Sequence, residues 1–168
     1  SISDGVTNAN GEFEYLDGQT VTFFIGDLEF PPAPATGKVT PLDLAGSTNT
    51  SDPTVINITR LLQSLDEDGD PDNGISINQL AKDNATEISD WGISESEFEN
   101  LTAITTLVAN SGSTNTTLIA TEEALEHFES VLIGEDVESV PYTTLTLPTN
   151  GLVADPCGTG SPEHKTRM

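Results

Sequence analysis

The sequence predicts an α+β fold: an antiparallel β-meander or partial sandwich, followed by a small helical subdomain that carries an EF-hand-like calcium loop. Three observations predict it. Short β-prone runs separated by turn residues fill residues 1–44, apolar residues recur at helical spacing over 52–134, and five carboxylates crowd seven positions in "QSLDEDGDPDNGISI". The expected organisation is a β-rich part at 1–50, a helical part at 51–134 and a strand with a polar tail at 135–168. The last is expected to join the first in one composite domain.

Within the first part, "EFEYL", "TVTFFI" and "LEF" are the strand candidates, punctuated by "NANG", "DG" and "GD". Val21 and Phe23 fall on one face and Thr22 and Phe24 on the other, so part of the sheet is expected to be covered on both sides. "PPAP" at 31–34 interrupts the strand pattern and marks a linker or an edge.

In the second part Asp52 suits an N-cap and Pro53 the first helical position, after which Val55, Ile58, Leu61, Leu62 and Leu65 share a face. A weaker helix is expected at 77–87. The capping box Ser94 to Glu97 opens another, carrying Phe98, Leu101, Ile104, Leu107 and Val108 inward. The last starts at Thr121 with Glu122 and Glu123 on its positive end, buries Leu125, Phe128 and Leu132, and is expected to stop at Gly134. In the third part "YTTLTL" reads as a strand and "DPCGTGSPEHKTRM" has no pattern.

Composition narrows the function classes. The chain has 168 residues, 28 acidic and 5 basic side chains and a formal charge of -23. Nucleic acid and anionic membrane surfaces are therefore disfavoured as partners, and cations are favoured. No apolar run is long enough to be inserted in a membrane. With 35% hydrophobic and 20% charged residues the composition is that of a folded domain. Cys157 is the only cysteine, so no disulfide forms within the chain. The start at Ser1, without methionine or signal sequence, reads as a processed or trimmed product. Abundant Thr, Ser, Asn and Gly with little Lys point outside the cell, where the sequons at Asn49, Asn57, Asn84, Asn100 and Asn115 are candidate glycan sites.

Asp66, Asp68 and Asp70 occupy positions 1, 3 and 5 of a D-x-D-x-D pattern, with Gly69 easing the turn, and such alternation lets carboxylates converge on one hard cation. Calcium suits it, since magnesium keeps its waters and a transition metal wants His or Cys. The exit departs from an EF-hand: Pro71 stands where glycine is needed, and Ile77 holds the twelfth position. Asp72, carbonyls near Asn73 to Ile75, or an acid from elsewhere would complete the site. The alternative is a solvated loop. Carboxylates at a helix C-terminus oppose its dipole, which favours the metal.

"GVTNANGEFEYLDGQTVTFFIGD", "VTPLDL", "NITRLLQSLDEDGDPDNGISI" and "LIATEEALEHFESVL" together resemble a calcium-binding module of exported and surface proteins of Gram-negative bacteria. That module stands at the front of lipoproteins, adhesin-like proteins and some secreted hydrolases. The turn "TNANGEFEY" is also similar to the T-D-x-x-G-x-F turn of transthyretin-like and carboxypeptidase-regulatory-like sandwiches, with Asn8 for the usual Asp. An additional strand precedes that turn in those folds, so the resemblance implies a sheet one strand short. No settled activity comes with it.

No nucleophile elbow, zinc-protease motif, phosphate loop or dinucleotide fingerprint occurs, and an enzyme is not expected. His127 reads as an exposed or half-buried helical side chain and His164 lies in the tail. Carboxylate pairs abound without one being distinguished. Trp91 with Tyr15 or Tyr142 would make a sugar platform, against which core packing is the plainer role. The expected function is an extracellular or cell-surface, calcium-stabilised structural or assembly module. It would be a filament subunit if a neighbour's strand completes its sheet, with self-association or a neighbouring surface protein as partner. The alternative is a ligand-binding accessory domain of an adhesin or secreted hydrolase.

Overall fold

Turn residues fix where the β-part folds back on itself. A computed structural model describes residues 5–8, 11–36, 38–138, 149–150, 153–156 and 164–167. Strands β1 (Gly5–Val6), β2 (Glu12–Tyr15), β3 (Thr20–Ile25) and β4 (Leu28–Glu29) follow one another. Gly26 turns β3 into β4 at φ 56°, and a Cβ there would collide with the Lys82 carbonyl, so both conformation and space demand glycine. Along β3, Val21, Phe23 and Ile25 are buried while Thr22 and Phe24 are partly exposed, as period-two alternation requires. "PPAP" is not a linker: Ala33–Pro34 forms β5, antiparallel to the same β3. Among the described residues β5 pairs with β3 alone, an edge position in which proline is tolerated.

Strands β8 (Val153–Pro156) and β9 (His164–Arg167) arise in the tail that shows no sequence pattern. These strands, distant in sequence from their partners, complete two sheets: one of five strands, in the order β1-β8-β3-β4 with β5 also on β3, and one of two, β2-β9. β8 lies between β1 and β3, antiparallel to both, and β9 pairs antiparallel with β2. Both strands thus pair within the chain. Strands this short carry too few residues to display a period. In β9 the register sets Arg167 opposite Glu12 and Lys165 opposite Glu14. Oppositely charged residues at facing positions add about 0.2–1 kcal/mol each. The expected strand in "YTTLTL" and Cys157 lie outside the described residues.

Helix α1 (Pro41–Ala45) falls in the segment assigned to the β-part; its Thr40–Asp43 capping box and Gly46 C-cap bound it. Helix α2 (Pro53–Ser64) starts as expected, the Asp52 side chain accepting the Thr54 N–H and Pro53 standing first. Its expected apolar face is buried, and so is every other residue from Val55 to Ser64. Asn57, Thr59, Arg60, Gln63 and Ser64 are also buried, and each has at least one side-chain hydrogen bond to a backbone carbonyl. Asn57 Nδ2 donates to the Trp91 and Ile93 carbonyls at 2.9 Å, Arg60 Nε to Ile119 O at 2.8 Å, and Gln63 Nε2 to Ala124 O at 3.0 Å. Such bonds make burial of a polar helix face tolerable.

Around α2 stand α3 (Gln79–Asn84), α4 (Glu95–Glu99), α5 (Thr102–Ala109) and α6 (Thr121–Glu138). The helix opened by Ser94 and Glu97 has its capping box but breaks at Asn100 and Leu101, giving α4 and α5. Gly134 does not stop α6. One core joins sheet and helices: Phe13, Phe23, Phe30, Trp91 and Phe98 belong to it with α2. The fold is α+β, with sheet and helices segregated along most of the chain.

Candidate metal site

Leu65 caps α2, and the next residue leaves the helix into the acidic loop. Asp66 is fully buried. Its Oδ1 accepts the Ser76 N–H at 2.9 Å, the Glu67 N–H donates to Ser76 O at 2.9 Å, and Asp66 bridges Ile77. The two ends of the loop are thereby closed on each other. The exit forms β6 (Ile75–Ser76), whose parallel partner is β7 (Thr149–Asn150). Gly69 turns the loop at φ 74°, where a Cβ would strike Thr114 Oγ1. From outside, Ser113 Oγ donates to Asp66 O at 2.5 Å, the Thr114 N–H to Glu67 O at 3.2 Å, and Asn78 Nδ2 to Glu67 Oε1 at 3.0 Å.

The expected site residues are dispersed through this loop in distinct roles. Asp68 Oδ1 accepts the Asp70 N–H at 3.0 Å and its Oδ2 accepts Asn73 Nδ2 at 2.9 Å. Those donors, Asn73 first, hold the Asp68 carboxyl below its ordinary value. Asp70 Oδ1 accepts the Asp72 N–H at 3.2 Å, and Asp72 Oδ1 lies 3.1 Å from His127 Nδ1. Ile75 is a core residue. Among the described residues no three acidic, imidazole or thiol groups are gathered as a ready metal cage. Asp68 and Asp70 each give a carboxylate oxygen to a backbone N–H of their own turn, and Asp68 lies beside Asp66.

Among the described residues five buried side-chain atoms lack a hydrogen-bond partner, and two of them, Asp66 Oδ2 and His127 Nε2, belong to residues of this loop or against it. Asp66 Oδ2 is buried with no hydrogen-bond partner. Burial, and next to it the charge of Asp68 against the relief of the Ser76 N–H, pushes this carboxyl up to about 6. A carboxylate oxygen closed off from water and donors calls for a proton or a cation. With the Asp68 carboxylate beside it and a loop rich in carboxylate oxygens, the residues present fit a hard ion such as calcium.

Residues to which the sequence assigns no part in the loop support it: Ser113, Thr114, Asn78 and His127. They come from two connections and a helix distant in sequence, and no spacing announces them. Of the two placements expected for His127, exposed or half-buried, the structure shows the half-buried one: its side chain is 13% exposed, against the loop. Trp91 and Tyr15 are both buried in the core, which removes them as a sugar platform, and Tyr142 lies outside the described residues. Asn57 is fully buried with its amide donating twice, so its sequon takes no glycan in the folded chain. Asn49 and Asn100 are exposed, Asn84 and Asn115 half-buried. Among the described residues no helix is long and apolar enough to cross a membrane.

No protein-family model, curated protein or solved structure matches the chain.

Proposed function

We propose that the protein is a calcium-stabilised structural module of the cell exterior, not an enzyme. The observation that carries this reading is the buried, unpartnered Oδ2 of Asp66 at the head of a loop holding four further carboxylates. A bound cation would supply the missing partner and screen the loop's repulsion. With no cage formed in advance, binding includes the cost of gathering the ligands. That places the affinity in the range of extracellular modules, roughly 10⁻⁴–10⁻³ M, which matches an exported location.

Calcium titration calorimetry tests it. Asp68→Ala and Asp70→Ala are each expected to weaken binding tenfold or more. His127→Ala, which removes only the imidazole beside Asp72, should change it by about threefold or less, in the range of an exposed ion pair. No binding heat in the parent protein would exclude the site.

Self-association or a neighbouring surface protein is the partner class of this module. Its filament form requires β8 and β9 to pair with a neighbour's sheet in place of their own. The accessory-domain reading is favoured by two observations: the in-chain strand pairing, which makes the module self-contained, and a cleft of about 290 Å³ lined in part by Glu99, Thr105, Thr116 and Leu118. This is near the lower bound of small-ligand sites. Sedimentation velocity in calcium separates the two readings. Concentration-dependent growth is expected of an assembly module, and a monomer at every concentration would favour the accessory domain.

A further inference from the structure

We infer that a cation in the acidic loop governs how firmly the C-terminal strands dock on the sheet, acting through the β6–β7 pair; this rests on the calcium reading above. The connection is continuous in the backbone. Asp66 Oδ1 and the Glu67 N–H both engage Ser76, so the loop entrance grips one side of β6. On its other side β6 receives β7, with Ile75 opposite Thr149 and Ser76 opposite Asn150. Two residues further along the chain β8 begins, and it enters the sheet between β1 and β3.

A parallel pair of two residues does not sustain itself in water. The seat of β7 is therefore as firm as β6, and β6 is as firm as the loop that grips it. An ion held by Asp66 and Asp68 would fix the Asp66 carboxylate, and with it the Ser76 N–H it accepts. Without the ion, five carboxylates within seven residues repel one another, and the loop opens at its entrance. β7 then loses its register partner and β8 its anchor.

Hydrogen exchange of the full-length chain, in calcium and in chelator, reads this directly. Chelation is expected to speed exchange at 149–156 and at the facing amides of Thr22, Phe23 and Phe24 tenfold or more, while α5 changes less than threefold. Equal acceleration in α5 would mean that calcium stabilises the whole molecule without a preferred route, and would overturn the inference. Asp66→Asn supplies the second arm. It keeps an acceptor for Ser76 but removes the anionic ligand, so exchange at 149–156 should no longer respond to calcium. Persistent selective protection in that variant overturns the inference as well. Calcium binding in the parent protein without selective protection rejects only this coupling, whereas absence of binding rejects the loop reading and the coupling together.

Discussion

Trp91→Ala is expected to destabilise the protein by about 3–5 kcal/mol, the range for removing a buried aromatic side chain without refilling its space. The indole stacks on Phe30 with centroids 4.9 Å apart and planes at 21°, and meets Phe98 at 5.8 Å. Its Nε1–H donates to Glu29 O at 3.0 Å, which anchors the end of β4. The same side chain therefore joins the sheet to the helical part from the connection between α3 and α4. Trp91→Phe separates the two contributions: it keeps an aromatic ring but leaves the Glu29 carbonyl without this donor, and should cost about 1–3 kcal/mol. Urea unfolding followed by far-UV circular dichroism measures both, since the variants lose the only tryptophan. A loss below 1 kcal/mol for Trp91→Ala would show that sheet and helices do not depend on this contact.

The second large effect is an opposite response to pH with and without calcium. Because burial raises the Asp66 carboxyl to about 6 from the ordinary 3.8, the native state binds that proton more tightly than the unfolded chain. In chelator, the Asp66 contribution is fully present below about pH 4 and is lost as pH rises through 6. Its full extent is about 3 kcal/mol. Calcium requires the ionised carboxylate, so calcium affinity should weaken below pH 6, approaching tenfold per unit. At pH 7 a hundredfold excess of calcium over its dissociation constant adds about 2.7 kcal/mol. Melting temperatures between pH 5 and 7.5 should thus fall with rising pH in chelator relative to Asp66→Asn, while the gain on adding calcium should grow. If the Asp66→Asn variant shows the same pH dependence as the parent, the buried carboxyl is not its source.

The helical part was the more legible half of the fold. Asp52 with Pro53, and Ser94 with Glu97, define helix starts through chemistry confined to one turn, and the structure places both caps there. Apolar spacing likewise identified the buried residues of α2. It could not reveal that Asn57, Arg60 and Gln63 are buried too, since their partners are carbonyls of segments up to 61 positions away. The α4–α5 break escaped notice for a related reason: Leu101 continues the apolar pattern while its backbone leaves the helix. Most opaque was the C-terminus. β8 is defined by what it lies between, and four residues that include a proline have no period of their own. At the acidic loop, spacing identified which carboxylates are neighbours. It did not distinguish Asp66, shut in the core, from Asp68 and Asp70, which serve their own turns at the surface.

The position of β8 also sets an order of events for a newly made chain. β1 is at residues 5–6 and β3 at 20–25, yet the strand that lies between them is at 153–156. Until residues 153–156 have been synthesised, β1 and the facing edge of β3 wait without that strand. The helices have no such delay, because α2 to α6 contact one another within a shorter span and helix formation is local. Closure of the sheet then follows the helices and needs residues 5–6 and 21–24 to meet residues 153–156, a pairing of high contact order and slow formation. A nascent chain halted before residue 153 should carry an ordered helical part beside unclosed strands. That is the stage at which a holding chaperone, or a neighbouring chain, would find a strand-sized gap.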